Sequence, residues 1–297
     1  MLVITNRSWS RSSFTGGEAP NQKLAYFDDP ERITGKTFRR RLFERLSDLA
    51  SAPRPLIIVP IHGYNQDWPE ALDFIKKIDS TITAKLDDAI TVGFSWASCG
   101  HVVDYINDRM KARSAAITLA SEISRALRLI QDANCPTEIC VIAHSMGNFL
   151  LSKAAAYASE AHGDPAFQVF SEVLMVAADM DGGAFEPGGD GHALARFSRR
   201  ITVYRSSHDR ALLASRAKRA GLTGRRLGRH GVDDRKSIPS NVVLVDASRR
   251  TNMGGLAAHG HYFEDGRVIS DMLAALEGKD RSVIMGREEK DGEFVIT

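Results

Sequence analysis

The sequence predicts an α/β protein: a mostly parallel central sheet with helices on both faces. Three observations carry this. Continuous apolar runs recur at PLIIVPIHG (55–63), AITVGFSW (89–96), TEICVIAHS (137–145), SEVLMVAAD (171–179), ITVYRSS (201–207) and NVVLVDAS (241–248). Strands apolar on both faces belong to parallel sheets covered on both sides. Helical patterns separate many of these runs, from Pro69 to about Leu86, Val103 to about Gln131 and Gly147 to Ala161, with a last one over 265–278. Alternation with short turns makes a parallel sheet with crossover helices the economical topology.

The elements before residue 55 are weaker. Two short strands, 2–6 and 24–28, and a basic amphipathic helix in TFRRRLFERLSDLA read as an antiparallel edge followed by the first crossover helix. The tail over 279–297 reads as a short hairpin or a loose end. With no internal repeat and no low-complexity linker, the chain reads as one domain over 1–297, 1–54 being edge strands and helix.

Composition narrows the class. Of 297 residues, 43% are hydrophobic and 26% charged, as in a globular protein, and a formal net charge of +2 singles out no partner. No window reaches the ~18 apolar residues of a membrane helix. At the start, MLVITNRSWSRSS, the apolar run precedes the first charge, the reverse of a secretory signal. Cys99, Cys135 and Cys140 have no metal-ligand spacing and read as reduced thiols, so the expected compartment is the cytoplasm.

The chemistry centres on CVIAHSMGN (140–148), where a strand gives way to a helix with Ser145 at the corner. A nucleophile elbow holds its serine in a strained turn and demands small residues two before and two after. Ala143 and Gly147 meet that demand, Ala143 standing where glycine is usual. The N–H groups that open the next helix favour developing negative charge. A serine at a helix start can also be a plain N-cap, but its place after the most apolar strand favours the nucleophile. An oxyanion hole in such a fold takes the N–H after the nucleophile, here Met146, and one from an earlier strand-to-helix loop. IHGYN (61–65) supplies that loop: Gly63 allows close approach and Tyr64 is the second donor, with His62 read as loop packing.

A serine needs a base, and the base an orienting acid, in the chain order Ser, Asp or Glu, His. Asp209 follows the strand ITVYRSS, and Asp181, one strand earlier, is the competing acid; Asp246 reads as a loop-capping carboxylate. His259 and His261, both ahead of the last helix, compete as the base. Their side chains fall on the same side of an extended segment. His261 adjoins Tyr262 and Phe263, which anchor the helix, whereas His259 lies in the glycine-flanked part of the loop.

IHGYN, FSWAS, DYINDRMKAR, AHSMGN, AADMD and TVYRSSHDRAL, in this order over roughly 55–275, resemble a large bacterial family of α/β-hydrolase-like proteins of uncharacterised function, the DUF900 group. The resemblance implies the α/β-hydrolase fold, Ser145 as nucleophile and Asp209 as acid. Counting back from Val268, its spacing implies His259 as base. It supplies no substrate.

Between Arg196 and Lys236 stand thirteen Lys/Arg against three Asp/Glu. One reading is recognition of an anionic acyl substrate; the other is a solvated basic helix and loop. Its segment RAKRAGLTGRRLGRH has no Phe, Tyr or Trp interleaved for nucleic-acid stacking. Asp104, Asp108 and Arg109 open a long helix, where carboxylates complement its dipole. The glycines of DGGAFEPGGDGH (181–192) suggest a rim or short lid. No motif calls for a metal or cofactor. The expectation is a serine hydrolase of a carboxylic ester or related small-molecule acyl compound, without a large cap domain or membrane span. The alternative is a weak or inactive relative that uses the same fold for binding.

Overall fold

A computed structural model describes residues 1–10, 13–19, 23–49, 51–98, 105–133, 137–218, 224–250 and 259–297. The six apolar runs form β6 (Leu56–Ile61), β7 (Ala89–Ser95), β8 (Glu138–His144), β9 (Phe170–Val176), β10 (Ser198–Arg205) and β11 (Val242–Asp246). All six run parallel, in the order β11-β10-β9-β8-β6-β7.

The period of two along each strand divides the core. On one face Val141, Ala143, Val173, Met175, Val242 and Leu244 pack under α3 (Tyr105–Ala133), α4 (Met146–His162) and α5 (His192–Phe197). On the other, Cys140, Ile142, Leu174, Val176, Val243 and Val245 pack under α2 (Trp68–Thr81) and α8 (Gly266–Leu276). Asp67 caps α2 through a reciprocal capping box with Glu70, and Asp265 caps α8 through the N–H groups of Arg267 and Val268. Burial pushes the Cys140 thiol up to about 12, so it behaves as a small apolar core residue. Cys99 and Cys135 lie outside the described residues.

The amino-terminal segment departs from expectation. β1 (Leu2–Thr5) runs parallel to β7 and extends the parallel sheet; only β4 (Ala25–Asp28) and β5 (Glu31–Ile33) form the antiparallel edge. Between β1 and β4 lies a hairpin, β2 (Arg7–Ser10) and β3 (Ser13–Glu18), that no local pattern announced. Tertiary contacts hold it: the Phe14 ring packs 4.6 Å from Trp9, 4.5 Å from Trp68 and 6.1 Å from Phe27. The basic helix is α1 (Gly35–Asp48), which turns Phe38 onto Leu2 and Val92. At the other edge the tail forms a hairpin, β12 (Arg287–Lys290) and β13 (Glu293–Ile296), whose second strand pairs parallel with β11. Among the described residues no helix is long and apolar enough to cross a membrane.

Candidate active site

Ser145 stands alone between β8 and α4 with φ 53° and ψ −120°, a conformation that costs a non-glycine residue about 1–3 kcal/mol. The turn is held on several sides. Its N–H donates to Val176 O at 3.0 Å, and its carbonyl accepts from Asp179 N at 3.1 Å and from Asn148 Nδ2 at 3.2 Å. Gly147 is dictated by contact: a Cβ there would lie 2.6 Å from His62 O and 2.7 Å from Ile61 O. Asn65 and Ala177 also take positive φ, at 59° and 48°. These strained backbones gather at the carboxyl ends of the adjacent strands β6, β8 and β9, a clustering that points to a functional site.

The loop after β6 closes on the serine. A Cβ on Gly63 would lie 3.0 Å from Ser145 Cβ. Tyr64 is half-buried, its ring edge-on to Tyr105 at 5.5 Å. Met146 is the first residue of α4, so its N–H has no carbonyl one turn back within the helix. Asp108, read from sequence as a dipole-complementing residue, instead ties loops together: its Oδ2 accepts from Asn65 N at 3.1 Å and Ser98 Oγ at 2.6 Å. His62 is fully buried and stacked on Trp96, 5.4 Å between centroids and 5° between planes. Asp104 lies outside the described residues.

Asp209 follows β10 and is completely buried. Its Oδ1 accepts from Leu212 N at 3.0 Å, and its Oδ2 lies 2.7 Å from His259 Nδ1. His261 faces elsewhere, its Nδ1 3.5 Å from Glu264 Oε2. Asp181 is 44% exposed along its side chain and pairs with Arg226 at 2.8 Å. Asp246 accepts from Ser248 N at 2.8 Å and pairs with Arg205 at 2.9 Å.

Sequence reading missed His144, a neighbour of both Ser145 and His259. Its Nε2 lies 3.0 Å from His259 O, and the two imidazoles are 4.6 Å apart. Phe74 and Phe263 enclose the ring at 5.8 and 5.7 Å. Burial, then the nearby His259, lower its pKa to about 3, so the ring is neutral and Nε2 carries the hydrogen donated to His259. Asp179 was also missed. This buried carboxylate accepts from Tyr105 Oη at 2.7 Å and pairs with the buried Arg226 at 3.3 Å.

Of the basic stretch, Arg219 and the side chains of Arg216 and Lys218 lie outside the described residues. Arg196, Arg199, Arg200, Arg205, Arg226 and Arg235 all pair with carboxylates. Arg229 donates to Asp209 O at 2.6 Å. The expected rim, 181–192, buries Ala184 and Phe185 and is closed by backbone bonds such as Gly191 N to Ala184 O.

The model of one protein family, described as alpha/beta hydrolase of unknown function (DUF900), matches residues 40–278. The uncharacterized protein alr1448 of Nostoc sp. (strain PCC 7120) is 34% identical over 117 residues, 32% of this chain. That match spans only 29% of the length of the Nostoc protein. Among solved structures, an acetyl xylan esterase shares 14% identity at a TM-score of 0.42, covering 76% of this chain and 98% of its own. A cutinase-like protein from Cryptococcus sp. shares 13% at 0.39, covering 76% and 96%. These likenesses are too distant to bear on activity.

Proposed function

The chain belongs to this family of α/β hydrolases of unknown function (DUF900), and we propose that it is a serine hydrolase of a carboxylic ester or related acyl compound. The observation that carries the reading is the pairing of His259 with the buried Asp209, together with the contact of His259 with His144, whose chain neighbour Ser145 sits in a strained turn at the head of a helix.

With Nδ1–H committed to Asp209, the Nε2 lone pair of His259 is the base. Ser145 Oγ attacks the acyl carbon as its proton passes to Nε2, and the carbonyl π pair moves onto oxygen. Asp209 keeps the ring oriented and compensates the imidazolium. The N–H groups of Met146 and Tyr64 receive the oxyanion, each donor contributing about 3 kcal/mol to the transition state. Collapse breaks the bond to the leaving group, which takes the proton from Nε2. Water then repeats the sequence on the acyl-serine, releases the acid and restores Ser145.

The chain is read as one catalytic domain, and its few cysteines suit a cytoplasmic setting. Hydrolysis of p-nitrophenyl acetate and butyrate by the purified protein and by Ser145→Ala tests the proposal. The wild type should turn over and the variant should not, at a nearly unchanged thermal midpoint; equal rates would refute it.

A further inference from the structure

The oxyanion loop is gripped from a part of the chain that lies outside the family match. Arg7, in β2, is completely buried and reaches across to the loops after β6 and β7. Its Nε donates to Ser95 Oγ at 3.0 Å. One terminal nitrogen donates to Thr15 O and Ser98 O, both at 3.3 Å. The other donates to Gln66 O at 2.9 Å and Asp67 O at 3.4 Å.

A guanidinium and a backbone N–H can only donate, and together they set the directions of the hydrogen bonds that follow. Ser95 Oγ accepts from Arg7 through one lone pair and lies 3.3 Å from His62 Nε2, to which it donates where that nitrogen is an acceptor. Trp96 N–H donates to the same Nε2 at 3.1 Å. With Nε2 an acceptor, the ring hydrogen is on Nδ1, which donates to Gly63 O at 2.8 Å. Trp96 Nε1–H fixes the His62 backbone through its carbonyl at 2.9 Å. Burial, reinforced by the charge of Arg7, holds the His62 pKa well below its ordinary value, so this single neutral tautomer persists.

The Gly63 carbonyl belongs to the same amide as the Tyr64 N–H. A trans peptide is planar, with C=O and N–H on opposite sides. Fixing one therefore aims the other, and a hydrogen bond into the carbonyl polarises the N–H. We infer that Arg7 is a positioning residue for the oxyanion donor, acting through Ser95 and His62 on the Gly63–Tyr64 amide. The inference rests on the serine-hydrolase reading above. It makes the amino-terminal hairpin part of the catalytic apparatus rather than an ornament of the sheet edge.

The test is the kinetics of labelling by a fluorophosphonate, whose attack by serine builds negative charge on the phosphoryl oxygen. In Arg7→Met the maximal labelling rate should fall by about 10-fold, less than the 10²–10³ of losing a donor outright. The half-saturating probe concentration should stay within about two-fold, since a misaimed donor weakens the transition state and not ground-state binding. Ser95→Ala keeps the buried charge and breaks only the relay. Checked for an intact thermal transition, it should show the same pattern more mildly, and it decides the matter if Arg7→Met does not fold. In series, the double variant should label no more slowly than Arg7→Met alone. Wild-type rates in folded Ser95→Ala and Arg7→Met, or a change confined to half-saturation, would overturn the inference alone. A wild-type chain that takes no probe would overturn the hydrolase reading and this inference together.

Discussion

His259 Nδ1 and Asp209 Oδ2 meet at 2.7 Å across fifty residues of chain, and Asp209 is wholly excluded from solvent. A buried carboxylate on one imidazole nitrogen sets the tautomer and frees the other nitrogen as a base. Asp209→Asn should therefore lower kcat on a p-nitrophenyl ester by several orders of magnitude, with about 10⁴ as the scale seen in a serine protease. Asp181→Asn should do far less, because Asp181 is half-exposed and turned to Arg226. Steady-state kinetics of both variants check this; the reverse ranking would move the acid one strand earlier.

The two histidines separate in the same way. His259→Ala should abolish turnover, whereas His261→Ala loses a partly solvated contact with Glu264 and should keep most of it. Comparing kcat of the two single variants is enough. A dead His261→Ala beside an active His259→Ala would exchange their roles.

Gly147→Ala should damage both fold and activity. The new methyl meets two backbone carbonyls, which cannot rotate away as a side chain could. Overpacking of this kind costs about 1–3 kcal/mol. Denaturant titration should show that loss, and kcat should fall with it because the displaced carbonyls belong to the end of β6 and the start of the loop facing Ser145. A variant with wild-type stability and turnover would show that the elbow tolerates a side chain there.

Buried neutral histidines make stability depend on acid. The His144 pKa falls from an ordinary 6.5 to about 3 in the folded protein. Between those values the unfolded chain binds the proton and the native state does not, so stability falls as pH drops through that window. His62, also held well below its ordinary value, acts in the same direction. Each can contribute a slope of up to about 1.4 kcal/mol per pH unit. His144→Phe suits the pocket of Phe74 and Phe263 and removes one titrating group. It should be less stable at pH 7 for want of the bond to His259 O, yet lose less between pH 6.5 and 4.5. Denaturant midpoints at the two pH values measure this, and parallel losses would exclude His144 as a source.

Legibility follows the range of the interactions. The strands β6 to β11 are readable because each is a local apolar run, and Ser145 because strand, small residues and helix follow one another within nine residues. The hairpin of β2 and β3 is not, since RSWS and SFTGGE are loop-like in composition and are held by Phe14 against Trp68 and by the reach of Arg7. His144 looks like ordinary core packing until the loop 115 residues away lays the His259 carbonyl on it. Asp179 and Asp181 stand two apart in AADMD, and nothing local marks Asp179 as the buried one. Asp108 sits where helix-dipole reasoning is sufficient, so its bonds to Asn65 and Ser98 are invisible without the fold.

The central claim is that Ser145 is the nucleophile, and site mapping of a fluorophosphonate adduct addresses it most directly. Digestion and mass spectrometry of the labelled wild-type protein should find the probe on the peptide containing Ser145, with no adduct in Ser145→Ala. An adduct on another serine, Ser95 or Ser206 for instance, or labelling that survives in Ser145→Ala, would contradict the account.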